Sequence, residues 1–288
     1  TPHPCLACND RLKFEFLMRR AELMDADVVA TGHYARIREN NGRYELLAGL
    51  DSLKDQSYVL YTLNQEQLSK LALPIGDYSK DEIREVAREL GLSIADKPDS
   101  QDICFIPDGD YNRFIEPRLK RKMPGDIVDA DGLVIGEHDG IHGFTIGQRK
   151  RLPVVNNTTR PLYVTDINVD SGLVTVGPAE NLMKTRLYAS GMNWISGSAP
   201  TEPISVQARI RYNGGNSPAT VHALEGGAEI EFDQPVRAIT PGQAVVFYRD
   251  DVVVGGGLIE TSLPELRPAA SSDAGKTAKT VMPPAISV

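Results

Sequence analysis

An α/β unit, then a small β-rich unit, then a C-terminal β-barrel is the architecture this sequence predicts. Three observations carry it. Apolar residues in roughly the first 110 positions recur at helical spacing behind paired capping residues. From about Pro117 helical periodicity fades and glycine and proline punctuation rises. From about 183 short alternating strands recur at regular spacing. The divisions fall at 1–117, 118–182 and 183–266, with 267–288 a disordered tail of Ala, Ser, Pro and Lys without apolar periodicity.

In the first unit, Asn9 is placed to cap a helix over 10–24 whose apolar face carries Leu12, Phe16, Leu17, Ala21 and Met24. Val28-Val29-Ala30-Thr31-Gly32-His33 then reads as a buried parallel strand with Gly32 and His33 at its carboxyl end. Ligands bind at that end of open α/β sheets. Segments 34–38 and 43–47 flank Asn41-Gly42, a hairpin signal. Asn64 with Gln67, and Ser79 with Glu82, form capping boxes. The second opens a helix through Ile83, Val86, Ala87 and Leu90 that stops at Gly91.

Pro124-Gly125, Asp131-Gly132, Gly136, Gly140, Gly143 and Gly147 punctuate the middle unit. In the last unit Ile204, Val206, Ala208 and Ile210 alternate with polar residues. Gly226-Gly227 turns between 221–224 and 230–232, and Asp250-Asp251 turns between 245–248 and 252–254. Even spacing of this kind suggests a small barrel or sandwich.

Composition narrows the function. The chain has 288 residues, 41% hydrophobic and 24% charged, with 31 Lys and Arg against 39 Asp and Glu for a net charge of −8. That is the balance of a globular protein, not a collagen-like or disordered one, and no apolar run approaches the roughly 18 residues a membrane helix needs. An acidic body excludes non-specific coating of nucleic acid but allows a local basic surface. Three cysteines, Cys5, Cys8 and Cys104, are too few for a disulfide scaffold. They suit a reducing, cytoplasmic setting with reactive or metal-binding thiols. The chain opens on Thr1 as if within a loop, with no signal segment, so a preceding portion is expected.

Cys5-x-x-Cys8 at a helix start favours the Cys8 thiolate, because unpaired N–H groups stabilise negative charge there. A half-buried thiol without a role is the plainer alternative. Zinc held by the three cysteines with His3 or His33 is another, weakened by the absence of a second close ligand pair. Cys104 follows the polar run Asp99-Ser100-Gln101-Asp102, which suggests a loop that brings it to the surface. Arg113, Arg118, Lys120, Arg121 and Lys122, and then Arg149-Lys150-Arg151, are basic islands suited to phosphate contact or merely to solubility.

Read in order, several segments are not anonymous. They are Pro4-Cys5-Leu6-Ala7-Cys8-Asn9 with Leu12-Lys13-Phe14, Ala30-Thr31-Gly32-His33-Tyr34, and Leu50-Asp51-Ser52 with Lys54-Asp55-Gln56-Ser57-Tyr58. Ser100 to Phe105, Gly136-Glu137-His138, Thr145-Ile146-Gly147-Gln148-Arg149-Lys150, Thr240-Pro241-Gly242-Gln243 and Gly255-Gly256-Gly257 follow. From Thr1 to about Leu263 the chain closely resembles the tRNA-specific 2-thiouridylase family of MnmA type.

The resemblance implies a PP-loop nucleotide unit of adenine-nucleotide α-hydrolase type in 1–117 and a tRNA-binding unit in 118–182. It implies transfer of persulfide sulfur to C2 of the wobble uridine of tRNA, with ATP consumed to activate the C2 oxygen and magnesium left open. Cys104 would carry the persulfide. It would be supplied by a cysteine desulfurase or a sulfur-relay protein. Cys8 would be the nucleophile that releases the sulfur or forms a disulfide with Cys104. Gly32 matches an ATP contact. His33, Lys54, Asp55, Gln56, Arg211, Tyr212 and Gln243 match tRNA contacts, and His3, Pro4 and Cys5 match the segment meeting the target base. The resemblance implies a cytoplasmic monomer without membrane attachment.

Three departures stand out. His3-Pro4 replaces the family's Asn-Pro. Cys5 stands where some members carry an acid/base Asp, which leaves that proton transfer unassigned. The pyrophosphate loop Ser-Gly-Gly-x-Asp-Ser occurs nowhere in the sequence, so the chain alone is expected not to turn over. The rival reading is a tRNA- or RNA-binding module without chemistry.

Overall fold

The computed structural model describes residues 4–97, 103–106, 108–119, 122–154 and 160–260. His3, Lys120, Arg121 and the tail over 267–288 lie outside the described residues.

The first helical run begins at Pro4, earlier than expected. Helix α1 (Pro4–Ala7) passes into a π-helical stretch (Cys8–Glu15) and then α2 (Phe16–Leu23). Asn9 therefore lies inside the run and caps nothing, which corrects the helix expected over 10–24. The predicted apolar face is also corrected. Leu12 and Phe16 are 69% and 61% exposed, while Leu6 and Phe14 are buried. The i→i+5 hydrogen bonds of a π-turn rotate the helix, so a face counted at 3.6 residues per turn points the wrong way.

Strand β1 (Val29–Ala30) precedes the hairpin β2 (Ala35–Asn40) and β3 (Arg43–Ala48). Asn41 and Gly42, at φ 52° and 74°, make the primed turn their identities demand. Helix α3 (Gln65–Ser69) carries the Asn64–Gln67 box and β4 (Leu71–Ala72) follows. Helix α4 (Lys80–Glu89) carries the Ser79–Glu82 box. β1 pairs β4 in parallel as expected, but this sheet has two strands and Val28 and Ala30 are exposed. The buried strand is thus corrected to a parallel one without cover on both faces.

After α5 (Tyr111–Ile115), four strands pair in the order β6-β5-β8-β7: β5 (Gly125–Val128), β6 (Val134–His138), β7 (Tyr163–Ile167) and β8 (Val174–Gly177). Ile127, Phe144, Val164, Val174 and Val176 form their core.

The last six strands close a barrel. They are β9 (Met183–Trp194), β10 (Ile204–Arg209), β11 (Ser217–Leu224), β12 (Gly227–Arg237), β13 (Ala244–Arg249) and β14 (Val252–Glu260). Their order β13-β10-β11-β12-β9-β14 is shut by pairing of β13 with β14. Alternation along β10 and β11 sends Val206, Ala208, Ala219 and Val221 into the interior with Ile230 and Phe247.

The barrel and the first unit share a second core. Leu46, Tyr58, Leu60 and Leu63 pack with Ile195, Ala244, Val246, Tyr248 and Val253 from the barrel's outer side. The β2–β3 hairpin continues the barrel sheet at Leu47 opposite Val252. Arg36 Nη2 adds an ion pair to Asp251 at 2.7 Å. A deeper link lies beneath. Asp55 Oδ1 accepts the N–H groups of Gly49 and Ser57, each at 3.0 Å, while Oδ2 meets Arg209 Nη1 of β10 at 3.0 Å. These side chains are only 3% and 17% exposed. Removing one partner of such a pair strands a buried charge, so Arg209→Ala should cost about 3–5 kcal/mol. Urea unfolding measures it, and an unchanged midpoint would contradict the assignment.

Candidate active site

The Cys-x-x-Cys segment is fixed from behind by a polar chain. Asn9 Nδ2 donates to the Cys5 carbonyl at 2.9 Å, in the i−4 direction an α-helical N–H would take. Because that carbonyl only accepts, the Asn9 oxygen faces the other way, 3.0 Å from His33 Nε2. The Lys13 ammonium also lies 3.4 Å from Nε2, and Nδ1 lies 2.8 Å from the Thr31 hydroxyl. The Phe14 ring lies 5.6 Å from the imidazole. Burial, with the Lys13 ammonium nearby, lowers the His33 pKa to about 4. His33, expected to touch tRNA, is buried, and both ring nitrogens are engaged.

Cys5 and Cys8 stand three residues apart on the first helical run. Burial raises the Cys5 thiol, and the Cys8 and Cys104 thiols raise it further. Cys5 and Cys8 are half-buried and Cys104 is exposed. Cys8 does not sit at the helix start. The described helix begins at Pro4, and the stabilisation of negative charge at a helix terminus fades within the first turn, so that argument does not serve Cys8. Phe105, beside Cys104, packs 5.3 Å from Phe114 of α5.

The remaining candidates fall around this point. Tyr212 is half-buried, packed edge-on to Tyr58 at 6.0 Å, and its hydroxyl is raised by burial and by Asp55 and Cys5. Gln56 exchanges two bonds with Tyr34, through its N–H to the Tyr34 carbonyl at 2.8 Å and its Oε1 from the Tyr34 N–H at 3.0 Å. Lys54 is half-buried in the same loop. Arg211 Nη2 donates to the Ala238 carbonyl at 2.6 Å and lies 3.3 Å from Thr240 Oγ1. Burial and nearby Arg237 lower its pKa. Gln243 closes the Thr240-Pro241-Gly242 turn, with Gly242 at φ 81°. A Cβ at Gly32 would meet only Ile75 Cδ1, at an ordinary 3.8 Å.

One basic island turns inward on itself. Arg113 pairs with Asp108, Lys122 with Glu116, and Arg118 stacks 3.9 Å over Phe114. Arg149 and Lys150 stay exposed. Among the described residues no group of three His, Cys, Asp or Glu side chains is placed to hold a metal. No described helix is long and apolar enough to cross a membrane.

Sequence reasoning missed the Asn9–His33–Thr31 chain and Arg209. Thr31 and His33 two apart at a strand end were a usable signal. Arg209 was not, because nothing in its strand pairs it with a carboxylate 154 positions away.

An α/β unit with Cys5 and Cys8 on its first helical run is followed by a small β-sheet unit and a closed barrel, and the barrel packs against the first unit. Comparison agrees. A tRNA methyl transferase HUP domain matches residues 1–108. A tRNA methyl transferase PRC-barrel domain matches 112–178, and an aminomethyltransferase beta-barrel domain matches 184–259. The chain is 48% identical over 265 residues to the tRNA-specific 2-thiouridylase MnmA of Clostridium perfringens, covering 91% of this chain and 73% of that one. It is 48% identical over 277 residues to that of Heliobacterium modesticaldum, covering 93% and 71%. With that of Clostridioides difficile the identity is 47% over 267 residues, 91% and 73%. The chain belongs to the tRNA-specific 2-thiouridylase family.

A neutral His33 has a consequence for pH. Its folded pKa, about 4, lies below the ordinary 6.5, so the unfolded chain binds the extra proton first. The contribution to stability is complete above about 6.5 and is lost as pH falls towards 4. Imidazole 15N spectra should show a neutral ring at pH 6. A midpoint near 6.5 would contradict the burial argument.

Proposed function

We propose that this chain performs the sulfur-handling and tRNA-holding work of a tRNA uridine 2-sulfurtransferase, with persulfide sulfur passing from Cys104 to C2 of a wobble uridine. The observation that carries the reading is a pair of half-buried thiols on the first helical run together with an exposed thiol at Cys104. An exposed Cys104 suits loading by a protein donor, a cysteine desulfurase or relay protein. Half-buried Cys8 suits an attack shielded from solvent thiols.

Cys8 thiolate attacks Cys104 Sγ in the persulfide. A Cys8–Cys104 disulfide forms, the S–S bond to the terminal sulfur breaks, and hydrosulfide leaves with that electron pair. A second, equivalent-sum route keeps the sulfur on Cys104 until it has joined the base, and Cys8 then closes the disulfide as the thiolated base departs. Either way the disulfide must be reduced by an external thiol before the next cycle.

ATP, when bound, supplies the adenylyl group that makes the uracil C2 oxygen a leaving group. Gly32 fits a nucleotide contact. A side chain there is not excluded by packing, so glycine serves the approach of a ligand to the backbone at a strand's carboxyl end. The residues of this chain orient the base. Pro4 and Cys5 open the helix beneath it, and Tyr212 offers an aromatic face beside Cys5 on which an extruded base can stack. Lys54, Gln56, Arg211 and Gln243 supply polar and cationic contacts to the anticodon arm. The Asn9–His33 chain and the Asp55–Arg209 pair hold these groups in register, which assigns His33 and Asp55 to positioning.

Sulfur loading tests the assignment without need of ATP. After incubation with a cysteine desulfurase and 35S-cysteine, the wild-type chain should carry reductant-labile 35S. Cys104→Ser should fall to background, and equal labelling of that variant would refute the role of Cys104.

A further inference from the structure

We propose that Gly147 is a positioning residue for tRNA binding: its turn in the middle unit seats against Ala238 of the barrel and, through the Ala238 carbonyl, aims the Arg211 guanidinium at a tRNA phosphate. The inference rests on the reading of Arg211 as a tRNA contact and deepens it. It also gives the motif over 145–150 a role that the sulfur chemistry leaves open.

The turn is fixed on its own side. Gln148 N–H donates to the Thr145 carbonyl at 2.9 Å, and Gln148 Oε1 accepts the Thr145 N–H at 3.0 Å. Gly147 N–H donates to the Val164 carbonyl of β7 at 2.8 Å, and Val164 N–H returns to the Gln148 carbonyl at 2.9 Å. Gly147 has φ 87°, which glycine adopts without the steric cost of a Cβ.

Across the joint the fit is close. A Cβ on Gly147 would stand 3.0 Å from Ala238 Cβ and 3.7 Å from Arg211 Nη2. Ala238 is buried at φ 58°, a left-handed conformation that alanine keeps only where its surroundings impose it. Its N–H donates to the Leu182 carbonyl at 2.8 Å. Its carbonyl accepts Arg211 Nη2 at 2.6 Å and Thr240 Oγ1 at 3.0 Å. Arg237, one residue before, lies 4.7 Å over the Tyr163 ring of β7, a second contact between the same two units.

These contacts decide how Arg211 meets a ligand. With Nη2 held, the planar fork is pre-oriented, and binding a phosphate need not order a rotamer-rich side chain. A methyl at position 147 must push Ala238 or lift the turn. Either move displaces the acceptor of Nη2. Arg149 and Lys150 follow the turn and are exposed, so the joint also sets the spacing between that island and Arg211.

The test measures binding of unmodified tRNA to the whole chain over a range of KCl concentrations, with near-ultraviolet circular dichroism as the check of fold. Arg211→Gln should weaken binding about tenfold. It should also flatten the slope of log affinity against log salt by about 0.7–0.9, the share of one phosphate. Gly147→Ala should reproduce both changes, and adding Arg211→Gln to it should cost nothing more, since the two remove one contact. Ala238→Gly should restore binding and slope to Gly147→Ala by taking away the opposing methyl. Losses that add in the Gly147→Ala/Arg211→Gln variant overturn the positioning role. If Gly147→Ala loses its fold, Tyr163→Leu takes its place. It removes the ring under Arg237 without a change of charge and should flatten the slope; an unchanged slope overturns the role. If Arg211→Gln itself binds like wild type, the tRNA-contact reading of Arg211 fails and takes the proposal with it. A loss confined to Arg211→Gln, with Gly147→Ala at wild-type affinity and slope, overturns the positioning role alone.

Discussion

The buried ion pair between Asp55 and Arg209 is the constraint on which the site depends. Asp55 holds its own loop through two backbone N–H groups and reaches the barrel through one guanidinium. That guanidinium also lies 4.7 Å over the Tyr248 ring and donates from Nε to Asn216 at 2.9 Å. A flexible contact between two units would let Tyr212 drift from Cys5. A desolvated charge pair with a fixed fork of donors does not, because each alternative position leaves a charge unpaired. The shared apolar core around Tyr58 and Leu46 supplies the burial that makes the pair demanding.

Chemistry follows from that fixity. Two thiols sit on a helix whose backbone is pinned by Asn9, and the third arrives on an exposed loop. A carrier that must meet a donor outside and a nucleophile inside needs mobility at one end only. Placing Cys104 on the loop and Cys5 and Cys8 on the helix satisfies both needs. His33 contributes by staying neutral. A protonated ring beside the Lys13 ammonium, 3.4 Å from Nε2, would set two cations together in a buried place.

Much of this was legible in the sequence where local rules decide the outcome. The Asn41-Gly42 hairpin, both capping boxes, and the alternation of β10 and β11 each depend on neighbours within a few residues. The first helix was not legible. It holds a π-helical stretch over Cys8–Glu15, which rotates the residues beyond it, and Asn9 within that stretch meets His33, 24 positions away. The same distance problem hid Arg209. The ordered motifs pointed to Cys8, Cys104 and Tyr212, but motifs record which residues matter and not which face solvent. His33 and Asp55 read as tRNA contacts from the motifs, and in the structure both side chains are buried and hydrogen-bonded within the chain.

The central claim is that Cys8 and Cys104 come together over a uridine. Spin labels on these two cysteines in a Cys5→Ser background, measured by pulsed electron–electron double resonance, test it most directly. Added tRNA should shift the distance distribution to a short population near the lower limit of the method. A distribution that stays long and unchanged at saturating tRNA would contradict the account.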